Sequence, residues 1–334
     1  MSWLVTGAAG FVGFHLCRRL VADGHAVVAF DSFDETYEPG LKKARADRLL
    51  GLAGLRFVEG DVRDPTALER VFTQSSISTV AHLAARAGVR GSHRDPIDYV
   101  EANVVGTTQV LERAVRAGVD HVVYASSSSV YGERSLTPFS VDQPADHPVS
   151  LYAASKRATE LLAHSYATVH DLPTTGLRFF TVYGPWGRPD MAYFAFADAI
   201  LAGEPITVYG DGSAVRDFTY VDDVIEGLVR VAADPPLAGR DPGGRLGSSS
   251  APWRLFNIGF GSQAAVNDLI ALLEERIGQR AVRVRGDLQP GDVTRTQADT
   301  IDLAETIGYT PKVPLEEGLA RFVEWLRAFR AGSA

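Results

Sequence analysis

The chain has 334 residues, of which 46% are hydrophobic and 22% charged, as in a globular protein with room for one large α/β domain or two unequal lobes. Its net charge of −8 disfavours non-specific nucleic-acid binding, and its single cysteine, Cys17, excludes intramolecular disulfides and thiolate metal clusters. We expect neither a membrane span nor a signal peptide, because no apolar run approaches roughly 20 residues and MSWLVTGAAG lacks a basic start and cleavage signature. The chain therefore predicts a cytoplasmic protein of enzyme size, without a metal site.

The first predicted unit is a strand, a glycine turn and a helix. Residues 3–6 are apolar, Gly7, Gly10 and Gly13 follow as G-x-x-G-x-x-G, and FHLCRRLVADG has the pattern of an amphipathic helix. Glycines at these positions permit a tight turn, close approach of a pyrophosphate and close helix–strand packing. The helix N-terminus then presents free N–H groups to phosphate.

A second apolar run, AVVAF at 26–30, ends at Asp31. A carboxylate at this point hydrogen-bonds the adenosine ribose hydroxyls and repels a 2′-phosphate. We therefore predict that the turn binds NAD rather than NADP.

Strands and helices continue to alternate. The runs LRFVEG, STVAHLAA and HVVYAS are predicted strands, separated by the predicted helices PTALERVFTQ and DPIDYVEANVVGTTQVLERAVRAG. This order predicts a Rossmann-like, doubly wound parallel sheet that binds ligands beyond the carboxyl ends of its strands. The residues at those ends are Gly7, Asp31, Asp61, Leu83–Ala85 and Ser126–Ser129.

The segment SLYAASKRATELLAHSYA predicts a helix with Tyr152 and Lys156 on one face. A phenol has a pKa near 10, and a neighbouring cation lowers that value. One helical face would thus supply a general base and the charge that activates it.

The second half is predicted to finish the sheet and to build a smaller lobe. TTGLRFFTVYG predicts a sixth strand, residues 234–252 a flexible surface excursion, and Trp325 and Phe329 core positions on the last helix. Further helices are predicted at MAYFAFADAILAG, FTYVDDVIEGLVRVAAD and VNDLIALLEERIG. We expect an NAD-binding domain at 1–180 and a mainly substrate-binding lobe at 181–334, interleaved with the end of the sheet.

Taken together, the glycine turn, HLAA, YASSSSVYG, the Tyr-x-x-x-Lys helix and DGSAVRDFTYVDD resemble the extended short-chain dehydrogenase/reductase family, in its NAD-dependent epimerase/dehydratase group. FDETYEPGLKKARADRL, AARAGVR, HPVSLYAASKRATELL and LRFFTVYGPWGRPDM are similar to the UDP-glucuronate 4-epimerases of that group. The resemblance covers nearly the whole chain. One departure is Arg86, which stands where these epimerases usually carry Gln and adds positive charge near the predicted pocket.

The resemblance implies that UDP-glucuronate and UDP-galacturonate interconvert through a transient 4-keto sugar, with tightly bound NAD recycled in each turnover. Tyr152 would take the 4-hydroxyl proton, Lys156 would bind the nicotinamide ribose and lower the pKa of Tyr152, and Ser127 would hydrogen-bond the reacting oxygen. Ser128 or Ser129 could share the role of Ser127. The implied NAD contacts are Gly7, Ala9, Gly10, Phe11, Val12, Asp31, Ser32, Lys42, Asp61, Val62, Leu83, Ala84, Ala85, Asn103, Ser126, Tyr152, Lys156 and Tyr183.

The diphosphate and carboxylate of UDP-glucuronate call for cations. The resemblance implies Arg216 at the diphosphate and Arg188 and Arg90 at the charged end of the sugar. It implies Thr207–Tyr209 at the uracil and Asp292 over the nucleotide. The implied substrate contacts are Arg90, Ser128, Ser129, Thr181, Arg188, Met191, Thr207, Val208, Tyr209, Arg216 and Asp292.

Four side chains permit two interpretations. Lys42 and Arg45 fit a solvated helix face, whereas the resemblance suggests that Lys42 lies near the adenosine. Tyr183 fits either stacking near the nicotinamide or core packing. His82 fits a satisfied core histidine better than a catalyst.

Serines at 128 and 129 favour epimerisation, because related dehydratases place an Asp–Glu pair there and decarboxylases place Glu at the second position. The alternatives are a UDP-glucuronate decarboxylase, a 4-epimerase for a neutral UDP-sugar, and a catalytically silent nucleotide-binding module. Tyr152 and Lys156 argue against the last. The resemblance also implies a homodimer that pairs through the helices of residues 98–117 and 152–170.

Overall fold

The computed structural model describes residues 1–35, 37, 39–133, 136–239, 245–287 and 293–332. The strands in these ranges are β1 (Ser2–Thr6), β2 (Ala26–Asp31), β3 (Leu55–Glu59), β4 (Thr79–His82), β5 (His121–Ser127), β6 (Thr174–Phe179), β7 (Thr181–Tyr183), β8 (Pro205–Tyr209), β9 (Val215–Arg216), β10 (Phe218–Tyr220), β11 (Trp253–Ile258), β12 (Ala264–Ala265) and β13 (Val282–Gly286). The α-helices are α1 (Phe11–Ala22), α2 (Pro39–Leu50), α3 (Pro65–Thr73), α4 (Val89–Arg94), α5 (Pro96–Val100), α6 (Gly106–Ala117), α7 (Leu151–His170), α8 (Ala192–Ala202), α9 (Val221–Ala232), α10 (Val266–Ile277), α11 (Ile301–Ile307) and α12 (Leu315–Arg330).

Seven strands form one parallel sheet in the order β3-β2-β1-β4-β5-β6-β11. This order confirms the predicted doubly wound α/β fold. The sequence moves outward from β1 to β3 and then returns across β1 to β4, so the carboxyl ends of β1 and β4 flank the crevice in which such sheets bind ligands.

The second half contributes β11 to this sheet and builds a smaller unit. β13 pairs in parallel with β8, and β12 pairs antiparallel with β9. Helices α8 and α10 pack together beside these strands. Trp325 and Phe329, which were predicted as core residues, are half-buried and pack against the main core cluster, with ring centroids 5.2 and 5.5 Å from that of Trp186.

Several element boundaries differ from the prediction. Helix α1 begins at Phe11, and the helix predicted from DPIDYVEANVVGTTQVLERAVRAG is α5, a single π-helical turn at Glu101–Val105, and α6. The predicted sixth strand is divided, because the N–H of Phe180 still donates to Ile258 O whereas that of Thr181 donates to Asp217 O. The helix predicted to start in FTYVDD is preceded by β10, which pairs with β7.

The predicted excursion at 234–252 is only partly visible, because residues 240–244 lie outside the described residues. Leu237 and Leu246 on either side are exposed, while Ala251 packs against a core cluster. Within the described ranges, no helix combines the length and apolarity that a membrane crossing requires.

Candidate functional site

The glycine turn between β1 and α1 is too tight for side chains. Gly7 has a φ of +72°, and a Cβ there would lie 2.7 Å from the backbone N of Ala84; a Cβ on Gly13 would lie 2.1 Å from Gly7 O. Helix α1 begins directly afterwards with Gly10 as N-cap and no side-chain cap bond. The Gly10 N–H donates to Gly7 O at 3.0 Å, but the N–H groups of Phe11 and Val12 at the start of the helix are available to an anion, which fits a dinucleotide pyrophosphate.

Asp31 lies at the end of β2 and is buried. Its Oδ2 accepts from Ala9 N at 2.9 Å and its Oδ1 from Phe33 N at 2.9 Å. Burial raises the pKa of Asp31, against the opposing effects of these donors and of Lys42. Each oxygen keeps a second lone pair, so the carboxylate, beside half-buried Ser32, fits a ribose diol.

Lys42 is buried, and its Nζ pairs with Asp34 Oδ1 at 2.9 Å, so the solvated-face interpretation is wrong for this residue. The guanidinium of Arg86 pairs with the same Asp34 oxygen at 3.0 Å and with Asp98. The departure at Arg86 thus places its charge in an ion-pair network across the loops after β2 and β4. Neighbouring Asp61 is paired with Arg63 at 2.6 Å.

The loop after β4, which carries Leu83, Ala84 and Ala85, is tied to helix α7 through Asn103 in the π-helical turn. The Asn103 side chain accepts from Arg86 N at 2.7 Å and donates to Arg86 O and to Ser155 Oγ, at 3.0 and 2.9 Å. Val62 is buried against Gly106 at the start of α6. Asn103 and Val62, two of the predicted NAD contacts, are therefore both buried beside this loop.

His82 contacts Thr6 Oγ1 at 2.8 Å and Thr107 Oγ1 at 3.0 Å. Burial lowers its pKa to about 3. The ring is therefore neutral and fully partnered, which confirms the core interpretation.

Helix α7 brings the three predicted catalytic groups together. Ser150 caps the helix by accepting from Ala153 N at 3.1 Å, so that Tyr152 and Lys156 lie one turn apart beside the end of β5. The Lys156 ammonium donates to Ala125 O at 2.9 Å. The hydroxyl of Ser127 lies close enough to the Tyr152 phenol to influence its pKa.

The electrostatics of Tyr152 differ from the sequence expectation. Desolvation raises its pKa, while the Ser127 hydroxyl and the charge of Arg188 oppose this. Lys156 is not among these influences, and burial lowers its own pKa to about 8. Arg188 is therefore the protein cation that favours the phenolate, a role that helix spacing could not show because Arg188 lies on another loop.

The serine loop separates into two roles. Ser127 Oγ accepts from Ser129 N and Ser129 Oγ at 3.2 and 2.9 Å, and Ser128 opens a 3₁₀ turn. The Ser126 hydroxyl instead donates to buried Glu160 at 2.6 Å. The side chain of Ser126 therefore points into the interior. Only its backbone could contact NAD.

Arg188, one of the predicted substrate contacts, makes a bidentate pair with Asp190, at 3.0 and 2.6 Å. Its Cζ lies 5.9 Å from the Tyr37 ring centroid, and Met191 follows as the N-cap of α8. Tyr99, which the sequence did not single out, lies edge-on to Tyr152 with ring centroids 6.3 Å apart.

The predicted uridine diphosphate contacts lie on short strands of the smaller unit. Thr207 and Tyr209 are exposed on β8 and Val208 is buried between them. The guanidinium of Arg90 lies 4.4 Å from the Tyr209 ring centroid. Half-buried Arg216, on β9, donates to Val215 O at 3.0 Å.

Asp292 lies outside the described residues. Tyr183 is fully buried, with its hydroxyl 3.3 Å from Pro314 O and its ring packed against Tyr193 and Phe218. Its side chain belongs to the core, so we correct the nicotinamide-stacking interpretation; half-buried Thr181, two residues earlier, remains at the strand end.

Among the described residues, no group of three or more His, Cys, Asp or Glu side chains is placed to hold a metal ion. The described residues instead form a glycine turn before a helix N-terminus, a buried carboxylate at Asp31, and a Ser–Tyr–Lys group with an arginine acting on its phenol. This arrangement can move a proton beside a bound dinucleotide.

Comparison with known proteins gives the same picture. The sequence profile of the NAD dependent epimerase/dehydratase family matches residues 3–241. A probable UDP-glucuronate 4-epimerase of Rhizobium meliloti is 44% identical over 97% of this chain and 96% of its own length. UDP-glucuronate 4-epimerase 5 of Arabidopsis thaliana is 44% identical over 100% of this chain and 77% of its own. The crystal structure of UDP-glucuronic acid 4-epimerase from Bacillus cereus, in complex with UDP-glucuronic acid and NAD, has a TM-score of 0.88 at 34% identity, covering 98% of this chain and all of that one.

Proposed function

The chain belongs to the NAD dependent epimerase/dehydratase family, and from this premise we propose that it is an NAD-dependent UDP-glucuronate 4-epimerase, interconverting UDP-glucuronate and UDP-galacturonate. The observation that carries the proposal is the convergence of the Ser127 hydroxyl, the Tyr152 phenol and the Arg188 guanidinium beyond the end of β5. These groups match a sugar hydroxyl that loses a proton and a sugar carboxylate that needs a cation.

The residues that would hold NAD lie in the loops that follow the strands of the first half, at the carboxyl edge of the sheet. Gly7, Gly10 and the start of α1 would bind the pyrophosphate, and Asp31 the adenosine ribose. NAD, when bound, supplies the acceptor for a hydride from carbon 4 of the sugar and a positively charged ring. The other contacts in this proposal are Ala9, Phe11, Val12, Ser32, Lys42, Asp61, Val62, Leu83, Ala84, Ala85, Asn103 and Ser126.

Proton transfer is the work of the Ser–Tyr–Lys group. Tyr152 takes the proton from the 4-hydroxyl and returns it after the 4-keto sugar has turned over, while Ser127 hydrogen-bonds the same oxygen. Lys156 binds the nicotinamide ribose. Because desolvation raises the pKa of Tyr152 in the protein alone, the positive charges of Arg188 and of the bound cofactor together have to favour the phenolate.

The substrate lies between the two halves of the chain in this proposal. Residues 181–334 form most of its binding lobe, with Thr207–Tyr209 at the uracil, Arg216 at the diphosphate, and Arg188 with Arg90 at the charged sugar. Ser128, Ser129, Thr181 and Met191 line the sugar. We place the enzyme in the cytoplasm, in keeping with its single, buried cysteine.

Incubation of the purified protein with UDP-glucuronate, without added NAD, tests this function, and UDP-galacturonate is the expected product. A UDP-4-keto-pentose as main product would identify a decarboxylase instead. Turnover of UDP-glucose alone would identify a neutral-sugar epimerase, and no turnover despite bound NAD would identify a silent nucleotide-binding module. Serines at 128 and 129, which lack a carboxyl group to act as an acid, support epimerisation over dehydration.

Asp31→Ala is expected to weaken NAD binding by about 10- to 100-fold, because it removes charge-assisted hydrogen bonds worth roughly 1.5–3 kcal/mol. The dissociation constant of NAD for apoprotein measures this effect. NADP should bind the native protein poorly; equal affinities for NAD and NADP would contradict the role given to Asp31.

We also propose a homodimer formed through α5–α6 and α7. These helices and the π-helical turn between α5 and α6 expose the large apolar side chains of Ile97, Val100, Val105, Leu161 and Val169. Sedimentation should find a dimer that Leu161→Glu converts largely to monomer. Leu136→Glu, at a more exposed position outside these helices, should leave the dimer intact; a monomeric native protein would contradict the proposal.

A further inference from the structure

Arg45, on helix α2, is fully buried. Its Nε donates to Trp186 O at 3.1 Å, its Nη2 to Trp186 O and Gly187 O at 2.6 and 2.9 Å, and its Nη1 to Ala9 O and Tyr37 Oη at 3.0 and 2.5 Å. These bonds match the five N–H donors of a guanidinium. None of these acceptors is a carboxylate, so a buried cation is held by main-chain carbonyls and one phenol. The expectation of a solvated helix face is therefore wrong for Arg45.

The loop that Arg45 holds has an unusual backbone. Trp186 has a φ of +59°, in the left-handed region that non-glycine residues rarely adopt. The preceding carbonyl, of Pro185, bonds His15 Nε2 at 2.9 Å. Burial lowers the pKa of His15 to about 4, so this ring is a neutral donor. Three consecutive carbonyls thus point at donors from the first half of the chain, which keeps a strained turn in one conformation.

Arg188 follows this turn directly, and Arg45 reaches it by two routes. One is the main chain of residues 186–187. The other is Tyr37, whose hydroxyl accepts from Arg45 while its ring lies 5.9 Å from Arg188 Cζ. On the far side, Arg45 bonds the carbonyl of Ala9 in the glycine turn. One side chain therefore connects the phosphate-binding turn with the loop that carries Arg188.

We propose that Arg45 is a positioning residue for Arg188: it locks the turn at 186–187 against the cofactor loop so that the Arg188 guanidinium faces Tyr152 and the sugar carboxylate. The carboxylate part of this inference rests on the proposed function. Lysine cannot replace Arg45, because an ammonium has three donors and lacks the planar fork that spans these acceptors.

A double-mutant cycle tests this inference. Arg45→Met and Arg188→Met are each expected to lower kcat/KM for UDP-glucuronate by about 10- to 100-fold, the loss of one charge-assisted contact. If Arg45 acts through Arg188, the double variant will be within about threefold of Arg188→Met alone. Losses that multiply would overturn the inference.

Arg45→Lys adds a readout that general destabilisation does not move. A less well placed Arg188 favours the phenolate less, so the pKa of Tyr152 rises and the alkaline rise of kcat/KM shifts to higher pH. An unshifted profile would overturn the inference. Arg48→Met is the matched control: Arg48 lies on the same helix, 4.3 Å from the Trp186 ring centroid, and its loss should leave kcat/KM within about twofold.

The same cycle measured by calorimetric titration of UDP-glucuronate separates this inference from the proposed function. A native protein that binds UDP-glucuronate without turning it over would contradict the epimerase proposal. The titrations would still measure the coupling between Arg45 and Arg188 in the affinity for UDP-glucuronate. We expect the affinity losses of the two single variants to be non-additive; additive losses would overturn the inference. The amount of bound NAD is quantified in each variant. Native NAD content in Arg45→Met is the expected result, whereas a loss of NAD that accounts for the whole effect would assign it to the Ala9 contact and overturn the inference.

Discussion

Tyr152→Phe is expected to bind NAD and UDP-glucuronate normally and to lower kcat by about 10²- to 10⁴-fold, the usual contribution of a general base. The substitution removes only the phenol oxygen, and the ring keeps its edge-on contact with Tyr99. The hydroxyl of Ser127 keeps the hydrogen bond that it accepts from Ser129 Oγ at 2.9 Å. Turnover assays with calorimetric titration of substrate measure the two parts of this prediction.

Tyr166→Phe is the matched control, because it removes the same atom from the same helix at a hydroxyl that bonds Glu112 at 3.3 Å. Its rate should remain within about twofold of the native rate. An unchanged rate in Tyr152→Phe would remove Tyr152 from the role of base. Lost substrate affinity with an unchanged kcat would make it a binding residue only.

The sheet could be predicted because its signals are local. Buried parallel strands are continuous apolar runs, and the glycine turn and Asp31 identify the first two strands without tertiary information. The boundary between β6 and β7 could not be predicted, since nothing in TTGLRFFTVYG, such as a proline or a turn sequence, interrupts the pattern of a strand. Only the change of acceptor from Ile258 O to Asp217 O, both distant in sequence, divides it.

The site shows the same contrast. Helical spacing was sufficient to place Tyr152 beside Lys156, whereas the cation that acts on Tyr152 comes from a separate loop. Arg45 resembles any charged residue of an amphipathic helix until the carbonyls of residues 186–187 are packed against it. Tyr183 lies at a strand end, but its side chain alternates into the core. A side chain that is buried by residues distant in the chain shows no periodic pattern in a single sequence.

Helix α7 also carries a buried ion pair directly behind the catalytic serines. Glu160 accepts from Arg178 Nε and Nη2 at 2.8 and 2.9 Å and from Ser126 Oγ at 2.6 Å, and both charged side chains are buried. The Arg178 guanidinium lies 4.6 Å from the Tyr131 ring centroid. The pair thus joins α7 to β5 and β6 at the point where Ser127 meets Tyr152.

Glu160→Ala is expected to lower the free energy of unfolding by about 3–5 kcal/mol, because it leaves the buried Arg178 without its carboxylate. Urea unfolding at pH 7 measures this loss, and Glu160→Ala/Arg178→Met should recover part of it by removing the stranded charge. Glu317→Ala, which breaks an exposed pair with Arg321, should cost below about 1 kcal/mol. The pH dependence of this contribution follows from the pKa of Glu160. Burial tends to raise that pKa, but Arg178, Ser126 and Arg157 hold it below its ordinary value of 4.5. The stability that the Glu160–Arg178 pair contributes is therefore complete above pH 4.5 and is lost as the pH falls through the lower, folded-state pKa of Glu160. A loss below about 1 kcal/mol at pH 7, or a double variant as unstable as the two single losses combined, would show that the pair does not hold α7 against the sheet.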